Sequence, residues 1–306
     1  MGPALSSDRS DDTGTAVRLA TIRADGAEVP AVVHPERGVA RADALVTDAP
    51  ADLVALVAAG RYDELRSAAL AAGDDAFAAP DAVRFAAPYR HPRKIWGIGL
   101  NYVEHASDLA EQVPDEPASF IKGDHTIIGP GDPIPVPRQS VRTTAEAELG
   151  LVIGRECRDV SEADALSYVF GVVPLLDQTA EDILERNPRF LARAKNFPGF
   201  FSFGPQIVLA GGGAGGGDDG ADGWAGLAAL EVMTVLNGSV HRRNTVANMR
   251  FSPAYLVSFS SQVMPLHPGD VLSTGTPGAV RIRAGDVAEC RIPSVGLLRN
   301  PVVDQR

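Results

Sequence analysis

Two apolar runs near the middle of the chain decide the fold: TTAEAELGLVIG at residues 143–154 and SYVFGVVPLLD at residues 167–177. Each run has the length of a β-strand and ends at a Gly or an Asp, so the pair predicts two buried strands. The first run carries Glu146 and Glu148 near its start, and the second ends at Asp177. Because side chains alternate faces along a strand, Glu146 and Glu148 are expected to project to the same face.

Paired carboxylates beside apolar strands suggest a cation site. Two like charges held this close are costly unless a cation lies between them, and Mg²⁺ or Mn²⁺ prefers such oxygen ligands. The alternative is an edge strand on which Glu146 and Glu148 face solvent. Asp177 likewise has two interpretations: it marks a site at the end of a buried strand, or it caps the helix that TAEDIL at 179–184 begins.

The rest of the chain has the pattern of an α+β protein. Further short strand-like runs lie on both sides of the central pair, bounded by Gly, Pro, Asp or Asn. Ser161 and Asp164 have the spacing of a capping box, which predicts a helix there, and SPAYLVSFSSQVMPL at 252–266 predicts another. Strands and helices do not alternate regularly, which favours α+β over a doubly wound sheet.

The chain is predicted to have three parts. Residues 1–15 are polar and acidic and are expected to form a disordered leader. Residues 16–90 read as a small α+β domain, with a β-meander followed by helices and a Pro-punctuated linker from Ala79 to Pro92. Residues 91–306 form the larger domain.

Composition excludes several classes of function. The 306 residues include 28 Lys and Arg against 39 Asp and Glu, and the net charge of −11 disfavours nucleic acid as a partner. Cys157 and Cys290 are too few for a disulfide framework or a Cys-based zinc site. No stretch approaches the roughly 18–20 apolar residues of a membrane span, and the start lacks the apolar core of a secretory signal. We therefore expect a cytoplasmic protein that does not bind membranes.

The His105/Asp108 pair and Lys195 are two further candidates for catalytic residues. His105 and Asp108 are three residues apart, so on a helix the carboxylate could orient the imidazole as a general base; the alternative is a lone surface histidine.

Only three of the 28 basic residues are lysines: Lys94, Lys122 and Lys195. In an arginine-rich chain a lysine is less often a generic solubilising residue, and Lys195 in RAKNF is therefore a candidate.

The order of these features resembles the fumarylacetoacetate hydrolase family over residues 94–303. The resemblance is carried by these blocks: KIWGIGLNYVEHASD, FIKGDHTIIGPGDPIPVP, AEAELGLVIG, SYVFGVVPLLDQTAEDI, RAKNF, SFGPQIV, VLNGSVHRRNT, MPLHPGDVLSTGTPGAV and GLLRNPVV. It implies a rolled, multi-layered mixed β-sheet catalytic domain beside a small N-terminal α+β domain. It also implies a homodimer that acts on a small molecule.

The resemblance also assigns roles to individual residues. The metal ligands for Mg²⁺ or Mn²⁺ would be Glu146, Glu148 and Asp177. His105 matches the family's water-activating base, and Asp108 stands where its acidic partner is commonly Glu. The catalytic lysine would be Lys195, and the residues counted as substrate-binding are Lys122, Glu181 and Thr276.

The reaction implied is metal-dependent hydrolysis of a carbon–carbon bond in a 1,3-dicarbonyl or acylpyruvate-type substrate. The alternative is a lyase or isomerase that uses the same enolate-stabilising site: a 2-oxo acid decarboxylase, hydratase or tautomerase. His105 and Asp108 favour hydrolysis, because water activation is the main use of such a pair.

One block departs from the family pattern. Many relatives read Asp-x-Thr-Ala-Arg-Asp-x-Gln where this chain reads DQTAEDIL, so that Glu181 and Leu184 replace the Arg and Gln. An anion in place of a cation repels a carboxylate, and Leu removes a hydrogen-bonding group. The sequence therefore predicts a larger or less anionic substrate than a small dicarboxylate. The alternative is that Glu181 faces solvent.

Overall fold

The computed structural model describes residues 17–102, 114–209 and 224–305. In these ranges the chain forms two mixed sheets of thirteen and five strands, with helices packed on them. Antiparallel pairs predominate, and β5–β15, β7–β11 and β8–β18 are parallel. The strands are β1 Arg18–Ala24, β2 Ala27–His34, β3 Gly38–Arg41, β4 Arg84–Phe85, β5 Ile95–Gly99, β6 Ala118–Lys122, β7 Ile127–Ile128, β8 Ile134–Val136, β9 Thr143–Ile153, β10 Val169–Ala180, β11 Phe201–Phe203, β12 Gln206–Leu209, β13 Glu231–Leu236, β14 Ser239–Thr245, β15 Val271–Ser273, β16 Ala279–Ile282, β17 Val287–Ile292 and β18 Gly296–Asp304. The predicted α+β class is confirmed.

The helices are short. They are α1 Ala42–Leu45, α2 Leu53–Ala58, α3 Tyr62–Ala71, α4 Glu162–Ala165, α5 Glu181–Arg186, α6 Leu191–Lys195 and α7 Pro253–Val263. The side chain of Ser161 accepts a hydrogen bond from the Asp164 N–H at the start of α4, and Ser252 caps α7 in the same way. Both helices predicted there are confirmed. No helix in the described ranges is long and apolar enough to cross a membrane.

Strands β9 and β10 form the central antiparallel pair, as their apolar runs predict. Strand β9 also pairs with β15 and β16 along its other edge, so it is an interior strand. The alternative of an edge strand with solvent-facing glutamates is therefore wrong. Asp177 lies within β10, four residues before α5 begins, so it does not cap that helix.

Alternation along β9 separates the core from the site. The odd-numbered side chains from Ala145 to Ile153 are fully buried in the hydrophobic core that includes the five-stranded sheet. Glu146 and Glu148 consequently project from the opposite face. The register sets Asp177 across from Glu146, so the β9–β10 pairing itself brings these carboxylates together.

The N-terminal strands are part of the larger sheet. The predicted meander is present as β1–β3, and β1 continues the sheet through its pairing with β12. In the predicted linker, β4 pairs with β1, and Ala86, Ala87 and Tyr89 are buried. This stretch is therefore packed structure, not a free connection. The division at residue 90 stays a prediction, and the predicted leader lies outside the described residues.

Candidate active site

Three carboxylates converge on the face of β9 and β10 that lies opposite the core. Glu146, Glu148 and Asp177 each offer an oxygen within 4.8 Å of the others. Glu148 and Asp177 are fully buried, and Glu146 is partly exposed. Buried charges this close to one another require compensation, so their surroundings decide what the cluster can do.

Glu148 is held by donors from the end of β15 and from the segment that follows it. The Ser273 hydroxyl and the Gly275 N–H both donate to Glu148 Oε2, the latter at 2.7 Å. Burial raises the pKa of Glu148 to about 8, and the charges of Asp177 and Glu146 push it the same way. A bound cation would favour the charged form of this carboxylate.

Gly275 is required at its position for two reasons. Its φ of +97° disfavours an L side chain, and a Cβ atom there would lie 2.7 Å from the Cβ of Asn101. We expect Gly275→Ala to lower the free energy of unfolding by about 2–4 kcal/mol and to weaken divalent-metal binding, because the N–H that orients Glu148 must move. Urea denaturation and metal titration would measure both effects.

Gly285 provides the matched control for that substitution. Its φ of +92° is similar, but a Cβ atom there meets nothing within 4 Å. Gly285→Ala should therefore show only the backbone cost of about 1–2 kcal/mol and leave metal binding unchanged. Equal effects of the two substitutions on both measurements would contradict the role given to Gly275.

Two lysines compensate the carboxylates. Lys195 Nζ lies 2.9 Å from Glu146 Oε2 and also contacts Asp177 Oδ2. Burial opposes its charge, but the attraction of Asp177 and Glu146 outweighs burial and raises the pKa of Lys195. Lys122 Nζ contacts the other oxygen of Asp177, and burial lowers the pKa of Lys122 to about 8 despite this partner.

Lys122 is buried against Asp177. Its side chain has no exposed surface and donates to Asp177 and to the Gln178 carbonyl, and it is not among the residues that line the cavity described below. These contacts balance the charge of Asp177. The predicted part of Lys122 in substrate binding stays a prediction.

The cluster fits a divalent cation. When all five groups are charged, the three carboxylates exceed the two ammonium groups by one negative charge, which a cation would offset. The donors are all oxygens, the set that Mg²⁺ and Mn²⁺ prefer. Glu146 is oriented by the Thr179 hydroxyl, which donates to its Oε1 at 2.6 Å. Hydrogen bonds of this kind fix metal-ligand geometry.

A cavity of about 410 Å³ opens onto Glu146 and Glu148. Glu146, Glu148, Lys195 and Thr276 line it, so the structure brings these predicted site residues to one space. Its walls also include apolar side chains from β5, β6 and the α5–α6 region. A volume of this size suits a small organic molecule.

Glu181 and Leu184 also line this cavity, from α5. The Glu181 carboxylate pairs with Arg142, with Nε and Oε2 3.2 Å apart, and its side chain is only 21% exposed. Burial raises the pKa of Glu181. The alternative that Glu181 simply faces solvent does not hold.

His105 and Asp108 lie outside the described residues, so their predicted roles stay predictions. The chain that leads to them is fixed at Asn101, which is fully buried. Its side chain donates to the carbonyls of Phe251 and Thr274 and accepts from the Phe251 N–H. The neighbouring Leu100 lines the cavity.

Sequence reasoning missed the residues that orient the carboxylates. Ser273, Thr179 and the Gly275 N–H are not singled out by local pattern, because each meets its glutamate through a tertiary contact between segments that are distant in the chain. One signal was present: Ser273 and Gly275 fall within the same LSTGTP segment as Thr276.

Comparison with known proteins defines the class. The model of the fumarylacetoacetate (FAA) hydrolase C-terminal domain matches residues 94–303. The chain therefore belongs to the fumarylacetoacetate hydrolase family. The oxaloacetate tautomerase fahd2 of Xenopus laevis, a mitochondrial protein, is 34% identical over 226 residues, which cover 71% of this chain and 67% of that protein.

Solved structures extend the similarity to nearly the whole chain. The fumarylacetoacetate hydrolase of Exiguobacterium antarcticum has a TM-score of 0.77 and 26% identity, covering 94% of this chain and all of that one. The 5-carboxymethyl-2-hydroxymuconate delta-isomerase of Mycobacterium smegmatis has a TM-score of 0.70 and 27% identity, covering 94% and 99%. Hydrolases and isomerases of this family thus share the fold described above.

Proposed function

We propose that this protein is a divalent-metal-dependent hydrolase that cleaves a carbon–carbon bond in a 1,3-dicarbonyl or acylpyruvate-type substrate. One observation carries the proposal: Glu146, Glu148 and Asp177 converge, and two of them, Glu146 and Glu148, line a cavity to which Lys195 adds a cation. Such substrates present two oxygens that chelate a metal, and an oxyanion forms on them when the bond breaks.

The carboxylates would hold Mg²⁺ or Mn²⁺, which when bound supplies Lewis-acid polarisation of the substrate oxygens. Lys195 places positive charge where oxyanion character develops, and Thr276 offers a hydroxyl on the same cavity wall. His105 with Asp108 takes a proton from water as the water oxygen attacks the carbonyl carbon. The carbon–carbon bond then breaks, its electron pair leaves as an enolate, and protonation of that carbon gives a ketone beside the new acid.

The second candidate is a lyase or isomerase using the same site: a 2-oxo acid decarboxylase, hydratase or tautomerase. It is favoured by the names of two similar proteins, the Xenopus laevis tautomerase and the Mycobacterium smegmatis isomerase. Decarboxylation and isomerisation also need enolate stabilisation, but no water oxygen enters a new product acid, and hydration adds water without breaking a carbon–carbon bond. The fate of water therefore separates the two candidates.

The decisive experiment follows water through the reaction. Metal-stripped protein would be assayed in H₂¹⁸O with and without Mg²⁺ or Mn²⁺ on acylpyruvates, oxaloacetate and larger cyclic 1,3-diketones, with products read by mass spectrometry. We expect metal-dependent cleavage with ¹⁸O in a product acid. Loss of CO₂ or a mass-neutral conversion without that label would favour the second candidate, and turnover indifferent to metal would contradict both.

Three further expectations accompany the proposal. The homodimer stays a prediction, which sedimentation of the purified protein would test. The cytoplasmic location also stays a prediction, as does the absence of nucleic acid and membrane partners.

A further inference from the structure

Apolar side chains make up much of the cavity lining. Leu184, Pro188 and Leu191 line it from α5 to α6, and Ile98 and Phe120 line it from β5 and β6. A substrate whose two oxygens face Glu146 and Glu148 places its remaining atoms among these side chains. Apolar groups are stabilised there by about 25 cal/mol for each Å² removed from water.

The cavity lining also contains several anions and one cation. Among the described residues that line the cavity, Lys195 is the one cationic side chain, and it is paired with Glu146 and Asp177. Glu181 and Glu185 also line the cavity. A second carboxylate on the substrate would therefore meet like charge.

Arg142 does not relieve this repulsion. It is bound by Glu181 and Glu185 and is not one of the cavity-lining residues. Two carboxylates around one guanidinium leave the group with a net negative charge. Because the Glu181 side chain is only 21% exposed, water screens its charge incompletely.

We propose that Glu181 is a specificity-determining residue that makes the cavity select 1,3-dicarbonyl or 2-oxo acid substrates with an uncharged, apolar distal group. Acylpyruvates with an alkyl or aryl acyl group belong to this class, and those with a terminal carboxylate do not. This inference rests on the proposed function, because it assumes that the chelating end of the substrate faces the carboxylate cluster.

A pair of non-cleaved ligands tests the inference through binding. N-butyl oxamate and N-(3-carboxypropyl) oxamate share a chelating head and a similar length and differ in the distal group. Calorimetry on the Mg²⁺-loaded protein should give at least about tenfold tighter binding of the butyl compound, since juxtaposed like charges are strongly unfavourable. Glu181→Gln should reduce this preference, and Glu181→Arg should abolish or reverse it.

Glu36→Arg is the matched control. Glu36 is exposed in the turn between β2 and β3, and its replacement changes the net charge by the same amount as Glu181→Arg. The control should keep the wild-type preference. If it shifted the preference as much as Glu181→Arg does, long-range charge would explain the effect and the inference would be overturned.

The remaining outcomes separate this inference from the proposed function. Equal affinities for the two oxamates, or a preference unchanged in both Glu181 variants, would overturn the inference while leaving hydrolysis intact. Tighter binding of N-(4-aminobutyl) oxamate than of the butyl compound would also overturn it, because the cavity would then favour a cationic distal group.

A product acid without ¹⁸O would contradict the proposed hydrolase activity but would leave the measured binding preference valid. If neither oxamate bound, both proposals would fail, since both require the chelating site.

Discussion

Asp177→Asn is expected to abolish Mg²⁺ binding at millimolar concentration and to lower kcat/KM by about a hundred- to a thousandfold or more. Asp177 is the carboxylate that the two lysines share, and it lies across the β9–β10 pair from Glu146. Asparagine keeps the shape but removes the charge on which both the cation site and the lysines depend. Metal titration by calorimetry and steady-state kinetics would measure the two losses.

The same substitution should also destabilise the fold. Lys122 would remain buried with the Gln178 carbonyl as its other hydrogen-bond partner, and breaking a buried ion pair costs about 3–5 kcal/mol. Circular dichroism therefore has to confirm a folded protein before its metal affinity is interpreted. Asp177→Glu restores the charge and should recover part of the stability.

Asp63→Asn is the control for the chemical change alone. Asp63 is exposed in the first turn of α3, far along the chain from the cavity-lining residues. It should leave metal binding and turnover unchanged. A folded Asp177→Asn protein that bound Mg²⁺ with wild-type affinity would contradict the assignment of this carboxylate as a ligand.

The sequence could predict the carboxylate cluster but not its register. Alternation along a strand is enough to put Glu146 and Glu148 on one face, and the apolar run before Asp177 is enough to place it in a strand. Which residue of β9 lies opposite Asp177 depends on how the two strands pair after the intervening helix. Only the structure shows that it is Glu146.

Lys122 shows why burial is hard to predict from residue type. In β6, Phe120 and Lys122 share the buried face, whereas Ile121 is exposed on the other. Hydrophobicity alone would predict that Ile121 is buried and that Lys122 is exposed. The lysine is buried because Asp177 lies there to receive it, and that partner is 55 residues away in the chain.

The Pro-punctuated stretch from Ala79 to Pro92 illustrates a related limit. Prolines and alanines give it the composition of a linker, yet Ala86 and Ala87 are fully buried and β4 extends the sheet at β1. Its burial comes from tertiary packing, which local composition does not encode. The boundary at residue 90 therefore cannot be drawn from composition alone.

Lys195→Met is expected to separate turnover from metal binding. It should lower kcat by about a hundred- to a thousandfold, the usual cost of losing a group that stabilises an oxyanion. Metal affinity should instead stay equal or rise, because the ammonium that contacts Glu146 and Asp177 no longer competes with the cation for their charge. Methionine has a similar length and is unbranched, so it fills the space without the charge.

Lys94→Met is the matched control for this prediction. Lys94 also pairs with a buried carboxylate, with its Nζ 2.7 Å from Asp270 Oδ2, but it does not line the cavity. Its replacement should cost stability, as any loss of a buried pair does, while kcat and metal affinity stay at wild-type values. If Lys195→Met lost turnover and metal affinity together, as Asp177→Asn should, then Lys195 would act by maintaining the carboxylate cluster. Opposite changes in the two measurements would instead place its charge at the reacting oxygens.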